Sequence, residues 1–253
     1  MLKILMHGAA GKMGRMIAAC ASKSENFHIT CGVDRFPADD LGFPVYPALS
    51  EAKEKYDVII DFSHASALEG LLAFAVEKRV PCVIASTGHT PEQKQMIEAA
   101  ARQIPVFYSA NFSLGVNVLV ALCRRAASVL GESFDIEIVE KHHNQKVDAP
   151  SGTALMLADG IGAVLEEEPE YVFDRHDRHE KRKKREIGIS AVRGGSIVGE
   201  HDVIFAGNQE VLTLSHTAYS REIFASGALR AASWLCGHPA GLYDMESMIG
   251  ESL

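Results

Sequence analysis

The 253-residue chain is 47% hydrophobic, enough for a sizeable buried core arranged as two modest domains or one large one. Its formal charge of -8 argues against broad attraction to nucleic acid or anionic membrane and leaves room for a local basic pocket. Five cysteines, at 20, 31, 82, 123 and 236, form no CxxC or other close pair, so they suggest neither a disulfide framework nor a zinc knuckle and fit free thiols in a reducing cytoplasm.

Residues 2–7 read as a short buried strand. The run LKILMHGAAG breaks into glycines too early for a signal peptide or membrane span, so export is not expected. After the glycine loop, MGRMIAACAS carries apolar residues at helical spacing. FHITCGVD (27–34) and DVIIDFS (57–63) read as the next strands, the latter an unbroken apolar run suited to a sheet covered on both faces. A helix over ALEGLLAFAVEKR leads to strand VPCVIAS. In TPEQKQMIEAAARQ, Thr90 is a plausible N-cap, with Pro91 at the first helical position and Gln93 at the capping-box position. Strand PVFY follows. Strands alternating with helices imply a Rossmann-like, doubly wound parallel sheet over residues 1–112.

Beyond residue 112 the rhythm changes. LGVNVLVALCRRAASVL reads as one long helix, FDIEIVE alternates like a half-exposed strand, and a helix follows DAPSGTA. IGISAVR, IVGEHDVIFAG and EVLTLSHTAY then come as strands without intervening helices, which predicts a second α+β domain on an antiparallel or mixed sheet over 113–221. The apolar helix REIFASGALRAASWLCG closes the chain, and the segment 222–253 can pack on either domain.

The loop GAAGKMG places Gly8, Gly11 and Gly14 between a strand and a helix, where small residues let phosphate approach the backbone and the helix N-terminus favours negative charge. The spacing is GxxGxxG, and a tight turn with close helix packing is the plain alternative. Asp34, twenty residues past Gly14 at the end of the second strand, is placed to accept hydrogen bonds from an adenosine ribose. Arg35 can pair with a 2′-phosphate or be an ordinary exposed arginine. Ligands of such sheets lie beyond the C-terminal strand ends, where the loops ASTGHT and YSANFS make Ser86, Thr87, Gly88, Ala110, Asn111 and Phe112 candidates to meet the cofactor. Ser86 and Ser113 can equally be caps.

EKHHNQKVDAPSGTA (140–154) is the densest run of chemistry. On a strand, His142 and His143 point to opposite faces, which disfavours a shared metal and favours a division of labour. Ser151 can cap the next helix, whose first turn holds Gly152 and Thr153. Helix N-terminal amides suit a carboxylate, and Lys146 can supply compensating charge.

Together, GAAGKMGR, ANFSLGVN, EKHHNQKVDAPSGTA, VRGGSIVGEHDVIFAG, FASGALRAASWL and GLYDM make nearly the whole chain resemble the 4-hydroxy-tetrahydrodipicolinate (dihydrodipicolinate) reductase family of bacterial lysine biosynthesis. The resemblance implies NADH- or NADPH-dependent reduction of a cyclic dicarboxylate imine by a cytoplasmic homotetramer, with no nucleic-acid or membrane partner and no metal. It implies His142 as proton donor or acceptor and His143 as a substrate contact. Lys146 assists protonation and carboxylate binding, and Gly152 and Thr153 hold a carboxylate. Gly8, Ala9, Ala10, Gly11, Lys12, Met13, Asp34, Ser86, Thr87, Gly88, Ala110, Asn111, Phe112 and Ser113 line the cofactor site, to which the residues themselves add Arg35. The resemblance also returns the C-terminal helix to the cofactor domain and gives the middle of the chain to substrate and tetramer formation. Two places depart from the family pattern: ASTG stands for GTTG, and Thr217 stands where many relatives carry arginine.

Rival readings are a semialdehyde-type dehydrogenase, which needs an activated cysteine, and a nicotinamide-sensing module without turnover. The stretch DRHDRHEKRKKRE (174–186) has seven basic and four acidic residues and no aromatics, so it reads as a solvated, mobile loop rather than a nucleic-acid arm or a metal site through His176 and His179.

Overall fold

The computed structural model describes residues 1–176 and 178–250. The chain divides into two compact units, Met1–Ser113 with Glu222–Leu253, and Leu114–Arg221.

In the first unit the strands are β1 (Leu2–His7), β2 (Phe27–Val33), β3 (Val45–Tyr46), β4 (Val58–Asp61), β5 (Cys82–Ile84), β6 (Pro105–Tyr108) and, from the end of the chain, β12 (Gly241–Tyr243). Their order is β12-β6-β5-β4-β1-β2-β3, and every pairing is parallel. This is the doubly wound sheet expected from the alternation of strands and helices. All four residues of β4 are buried, as its unbroken apolar run requires of a strand covered on both faces. The helices are α1 (Lys12–Ser22), α2 (Leu68–Lys78), α3 (Pro91–Ala101), α6 (Glu222–Leu235) and α7 (Met245–Gly250). α6 places Ala225, Ala228, Leu229, Ala231, Ala232 and Leu235 in the core, and its alanines allow close approach to the sheet. Thr90 caps α3 as the sequence predicts: Gln93 N donates to Thr90 Oγ1, and Thr90 N donates to Gln93 Oε1.

The second unit holds β7 (Asp135–His142), β8 (Glu170–Val172), β9 (Glu186–Arg193), β10 (Gly199–Ala206) and β11 (Val211–Ala218), in the order β11-β10-β7-β9-β8. The sheet is mixed: β10 runs antiparallel to β7 and β11, whereas β9 runs parallel to β7 and β8. Two helices, α4 (Leu114–Leu130) and α5 (Gly152–Gly162), cover one face. Leu119, Cys123 and Ala127 of α4, together with Leu157 and Ile161 of α5, meet Ile136, Ile138, Ile189, Val203 and Phe205 of the sheet.

The charged stretch near residue 180 is a largely exposed loop, as expected, but three of its arginines are held by ion pairs; its Asp177 lies outside the described residues. Arg182 gives Nε to Glu137 Oε1 at 3.1 Å and Nη1 to Asp135 Oδ1 at 2.9 Å, and Arg178 pairs with Glu170 at 3.0 Å. Arg175 pairs with the buried Glu186. Arg182 therefore ties the loop to β7 through acids remote in sequence, which local charge counting does not reveal, while Arg175 and Arg178 pair with acids near them in the chain.

Removing the α3 cap with Thr90→Ala should cost about 1 kcal/mol. For a chain of this size that lowers Tm by roughly 2–4 °C, readable by thermal unfolding. An unchanged Tm would mean the capping box contributes nothing to stability.

Candidate active site

The loops of the first unit leave the C-terminal edge of its parallel sheet, the edge at which such sheets take ligands. Gly8 begins the first loop with φ +82°, and a Cβ there would lie 2.8 Å from the Phe62 carbonyl, so both conformation and space demand glycine. A Cβ on Gly14 would meet Gly8 O at 2.3 Å, and its absence lets α1 settle onto the loop. Gly8 and Ala9 are buried, Ala10 and Met13 half-buried, and Gly11 and Lys12 exposed. Gly11 occupies the N-cap of α1 without a side-chain hydrogen bond, leaving a backbone-lined helix start of the kind that receives phosphate.

Asp34 is half-buried one residue past β2. Its Oδ2 accepts from Ala10 N at 3.0 Å and its Oδ1 from Phe36 N at 3.1 Å, so the carboxylate steadies the glycine loop. Gly8, Gly11, Asp34 and the exposed Arg35 share a cavity of about 320 Å³ with Phe62 and Ser63, two residues that strand and motif reading did not single out.

Behind this cavity the ends of β1, β4 and β5 are tied by a buried carboxylate. Asp61 Oδ1 lies 2.8 Å from His7 Nδ1 and accepts from Ser63 N at 3.1 Å, while Ser86 Oγ donates to Asp61 Oδ2 at 2.5 Å. Ser86 Oγ also lies 3.2 Å from His89 Nε2. Burial pushes the Asp61 carboxyl up, but His7, Ser63 and Ser86 outweigh it and leave the group below its ordinary range. Ser86 is thus held inward, whereas Thr87 and Gly88 are exposed.

In the β6–α4 loop, Ala110 is exposed and Asn111 half-buried, with Asn111 Oδ1 accepting from Ser113 N at 2.9 Å. Phe112 and Ser113 are buried. The Phe112 ring packs with Phe62 and Phe107 at centroid distances of 6.0 and 5.7 Å, which makes that side chain part of the core.

In the second unit, β7 alternates so that Ile136, Ile138, Glu140 and His142 share the buried face. His142 ends the strand, and His143, the next residue, is half-buried. His142 Nδ1 lies 2.6 Å from Glu140 Oε2, within hydrogen-bond distance. Arg193, opposite His142 in the β7–β9 register, completes a two-point pair with Glu140, both contacts at 2.7 Å. Ser151 N donates to Glu140 Oε1 at 2.9 Å. On β10, His201 sets its ring edge-on to His142 at 5.2 Å and its Nε2 3.0 Å from Ser151 Oγ.

The electrostatics follow from these contacts. Burial raises the Glu140 carboxyl, but Arg193, His142 and Ser151 together bring it below its usual range, so it is ionised near neutrality. Burial lowers His142 and the neighbouring Glu140 opposes that, with a net downward shift. His201 is pushed down to about 4, chiefly by burial, and is neutral near pH 7.

Ser151 caps α5 through Ala154 N, 3.1 Å from its Oγ, and Gly152 and Thr153 open the helix. Lys146 lies in the turn after His143, whose carbonyl accepts from Lys146 N at 3.1 Å, and its Nζ sits 2.9 Å from Asp148 Oδ1. The predicted residues of this unit therefore fall on one stretch from the end of β7 to the start of α5. Glu140, Arg193 and His201 are the members that motif reading missed. The alternation of β7 could have found Glu140, whereas the other two lie on strands far along the chain.

Burial raises Cys31 to about 11 and Cys123 to about 12, and it likewise raises Cys20, Cys82 and Cys236, so none is an activated thiol of the kind a semialdehyde dehydrogenase needs. Among the described residues, no group of three or more His, Cys, Asp or Glu side chains is arranged to hold a metal.

Residues 2–112 match the family model for the N-terminal part of dihydrodipicolinate reductase, and residues 115–249 match that for its C-terminal part. The chain is 54% identical to the 4-hydroxy-tetrahydrodipicolinate reductase of Caldanaerobacter subterraneus subsp. tengcongensis, covering 98% of both chains. It is 47% identical to that of Clostridium tetani, over 98% of this chain and 97% of the relative. A dipicolinate-bound dihydrodipicolinate reductase from Paenisporosarcina sp. TG-14 superposes with a TM-score of 0.82 at 26% identity, over 98% of this chain and 99% of that one.

Because Arg35 shares the cavity with Asp34, Arg35→Ala should weaken NADPH binding several-fold more than NADH binding, as read by fluorescence titration of both. Equal effects on the two dissociation constants would remove Arg35 as the phosphate reader.

Proposed function

The chain belongs to the dihydrodipicolinate reductase family, and from that membership we propose how its residues divide the reaction. It is an NAD(P)H-dependent reductase that converts 4-hydroxy-tetrahydrodipicolinate to tetrahydrodipicolinate with loss of water, in the diaminopimelate route to lysine. The proposal concerns which side chains do what.

Residues 1–112 with the returning C-terminal segment form the cofactor domain in this reading. The helix start at Gly11, Lys12 and Met13 receives the pyrophosphate beside Gly8, Ala9 and Ala10, while Asp34 and Arg35 take the adenosine end. Ser86, Thr87, Gly88, Ala110, Asn111, Phe112 and Ser113 complete the wall, Phe112 and Ser113 chiefly by fixing the loop backbone. The open turn at Gly8 and the 320 Å³ cavity fit such a group. When bound, NAD(P)H supplies the hydride, and the protein supplies position and proton.

Residues 113–221 take the substrate. Gly152 and Thr153, at the start of α5, hold one carboxylate through backbone amides, and the Lys146 ammonium adds charge, exchanging Asp148 for the ligand. His143 contacts substrate. His142 delivers the proton that reduction of the conjugated imine requires, a task for which imidazole is the usual side chain. The observation that carries this assignment is the bond of His142 to buried Glu140, which also grips Ser151 at the start of α5. Proton donor and anion site are thereby built on one support.

The assembly in this reading is a cytoplasmic homotetramer formed through the second unit. The exposed apolar side chains Val192, Val211 and Leu212 on its sheet support that arrangement, and the five free thiols suit a reducing compartment.

The direct test supplies the purified chain with fresh aldol product of pyruvate and aspartate semialdehyde and follows nicotinamide absorbance. Absence of oxidation with either cofactor would overturn the reductase reading. His142→Gln should lower kcat by about 10²–10⁴-fold, the usual contribution of a positioned proton donor. Lys146→Ala should raise KM for the dicarboxylate and reduce turnover while leaving the NADH dissociation constant near wild type. Loss of NADH binding with normal dipicolinate binding would assign the lysine to the wrong ligand. Light scattering should give a mass four times that of the chain, and a monomer would exclude the tetramer.

A further inference from the structure

We propose that Glu140 is the positioning residue of the substrate site, holding His142 so that Nε2 delivers the proton and anchoring the start of α5 that takes the carboxylate. This rests on the reading of His142 as proton donor. Glu140 is fully buried and receives four hydrogen bonds from three partners: His142 Nδ1, Ser151 N, and Nη1 and Nη2 of Arg193. An ionised carboxylate can only accept, so the hydrogen between it and the imidazole resides on Nδ1. Nε2 is left as the exchanging nitrogen.

The surroundings of Nε2 agree with that role. β10 carries Gly199 beside the ring, and a Cβ there would sit 3.1 Å from Nε2. Any larger residue would press its side chain onto the nitrogen that must meet substrate. In the transfer, the Nε2–H bond of the imidazolium breaks and its electron pair stays on nitrogen. The proton joins the electron-rich substrate centre left by hydride addition, and neutral imidazole remains with its hydrogen on Nδ1, facing Glu140.

The second role follows from the other carboxylate oxygen. Glu140 Oε1 accepts from Ser151 N, and Ser151 Oγ accepts from Ala154 N, so one carboxylate and one cap fix where α5 begins. Proton donor and carboxylate site cannot drift apart without breaking a buried charged hydrogen bond, a costly event in a low-dielectric interior.

The groups facing the imidazole set the expected pH behaviour. They are Glu140 from β7, Arg193 from β9, His201 from β10 with His216 of β11 behind it, and Lys146 and Ser151 from the β7–α5 loop. Glu140 alone among them is an anion and favours imidazolium; Arg193 and Lys146 oppose it, and His201 is neutral. A donor must be protonated, so kcat falls as pH rises through the His142 pKa. Removing the Glu140 charge lowers that pKa and moves the fall to lower pH.

The test uses the full chain labelled with ¹⁵N-histidine, the His142 signal being identified by its loss in His142→Gln. In wild type above the titration, neutral His142 should carry its hydrogen on Nδ1; hydrogen on Nε2 would overturn the proposal whatever any variant does. Glu140→Gln should weaken the Nδ1–H preference and shift the high-pH fall in kcat to lower pH. Its kcat should drop at least roughly tenfold, but by no more than the about 10²–10⁴-fold contribution of the donor itself. It should also weaken dipicolinate binding several-fold and leave NADH binding near wild type. An unchanged pH profile with unchanged dipicolinate affinity would equally overturn it. Should Glu140→Gln fail to fold, seen as loss of NADH binding, the wild-type tautomer decides alone. Tautomer and dipicolinate affinity are read without turnover, so a wild-type chain with no reductase activity would defeat the functional reading separately from this one.

Discussion

The second unit depends on how one buried negative charge is compensated. A carboxylate taken out of water costs several kcal/mol unless its lone pairs are met, and Glu140, fully buried on the core face of β7, has them met by protein groups. The fork of Arg193 answers two of those positions in a geometry that lysine could not reproduce. Ser151 N and His142 Nδ1 take the others. The charge thus fixes three things at once: the pairing of the ends of β7 and β9, the start of α5, and the orientation of a histidine. Removing one partner from such an arrangement is strongly destabilising, about 3–5 kcal/mol, because the remaining charge stays buried.

The first unit meets a related problem at its sheet edge. Parallel strands end with loops leaving in the same direction, and their backbone groups need partners. Asp34 and Asp61, just past β2 and at the end of β4, provide them: one accepts from the glycine loop at Ala10, the other from Ser63 and Ser86 beside His7. The loops at this edge are thereby braced by side chains from behind. A side chain on Gly8 would collide with the backbone of Phe62 and Ser63, just past β4.

An acidic protein handling an anionic cofactor and a dicarboxylate needs its positive charge placed locally. Arg35 stands at the cavity of the first unit, and Lys146 and Arg193 stand near the β7–α5 turn of the second. The proton chemistry is also separated by environment. Burial lowers both rings, but His142 keeps a carboxylate neighbour that opposes the shift, whereas His201, close by without such a bond, is driven down to about 4 and is a neutral ring. Two histidines of one network are thus given different electrostatic surroundings by their partners, the means by which neighbouring groups can be made to titrate apart.

What the sequence determined by itself was local. The period-two pattern of β7, the 3.6-residue pattern of α4 and the Thr90-Pro91-Gln93 start of α3 are short-range chemistry, and each element lies where its residues place it. The glycine loop and the run from His142 to Thr153 were legible because their groups are contiguous and their spacing carries a stated mechanism. The edge strands β3, β8 and β12 were not, since two or three residues carry no periodicity and exist only because a neighbour offers its unpaired edge. Tertiary structure alone decided which distant groups met: Arg193 reaches Glu140 across 53 positions, His201 reaches Ser151 across 50, and Arg182 finds Asp135 across 47. Electrostatic partnership is set by distance in space and by the loss of water. A chain read in order specifies its strands and helices, but it leaves unstated which charges folding will bury beside one another.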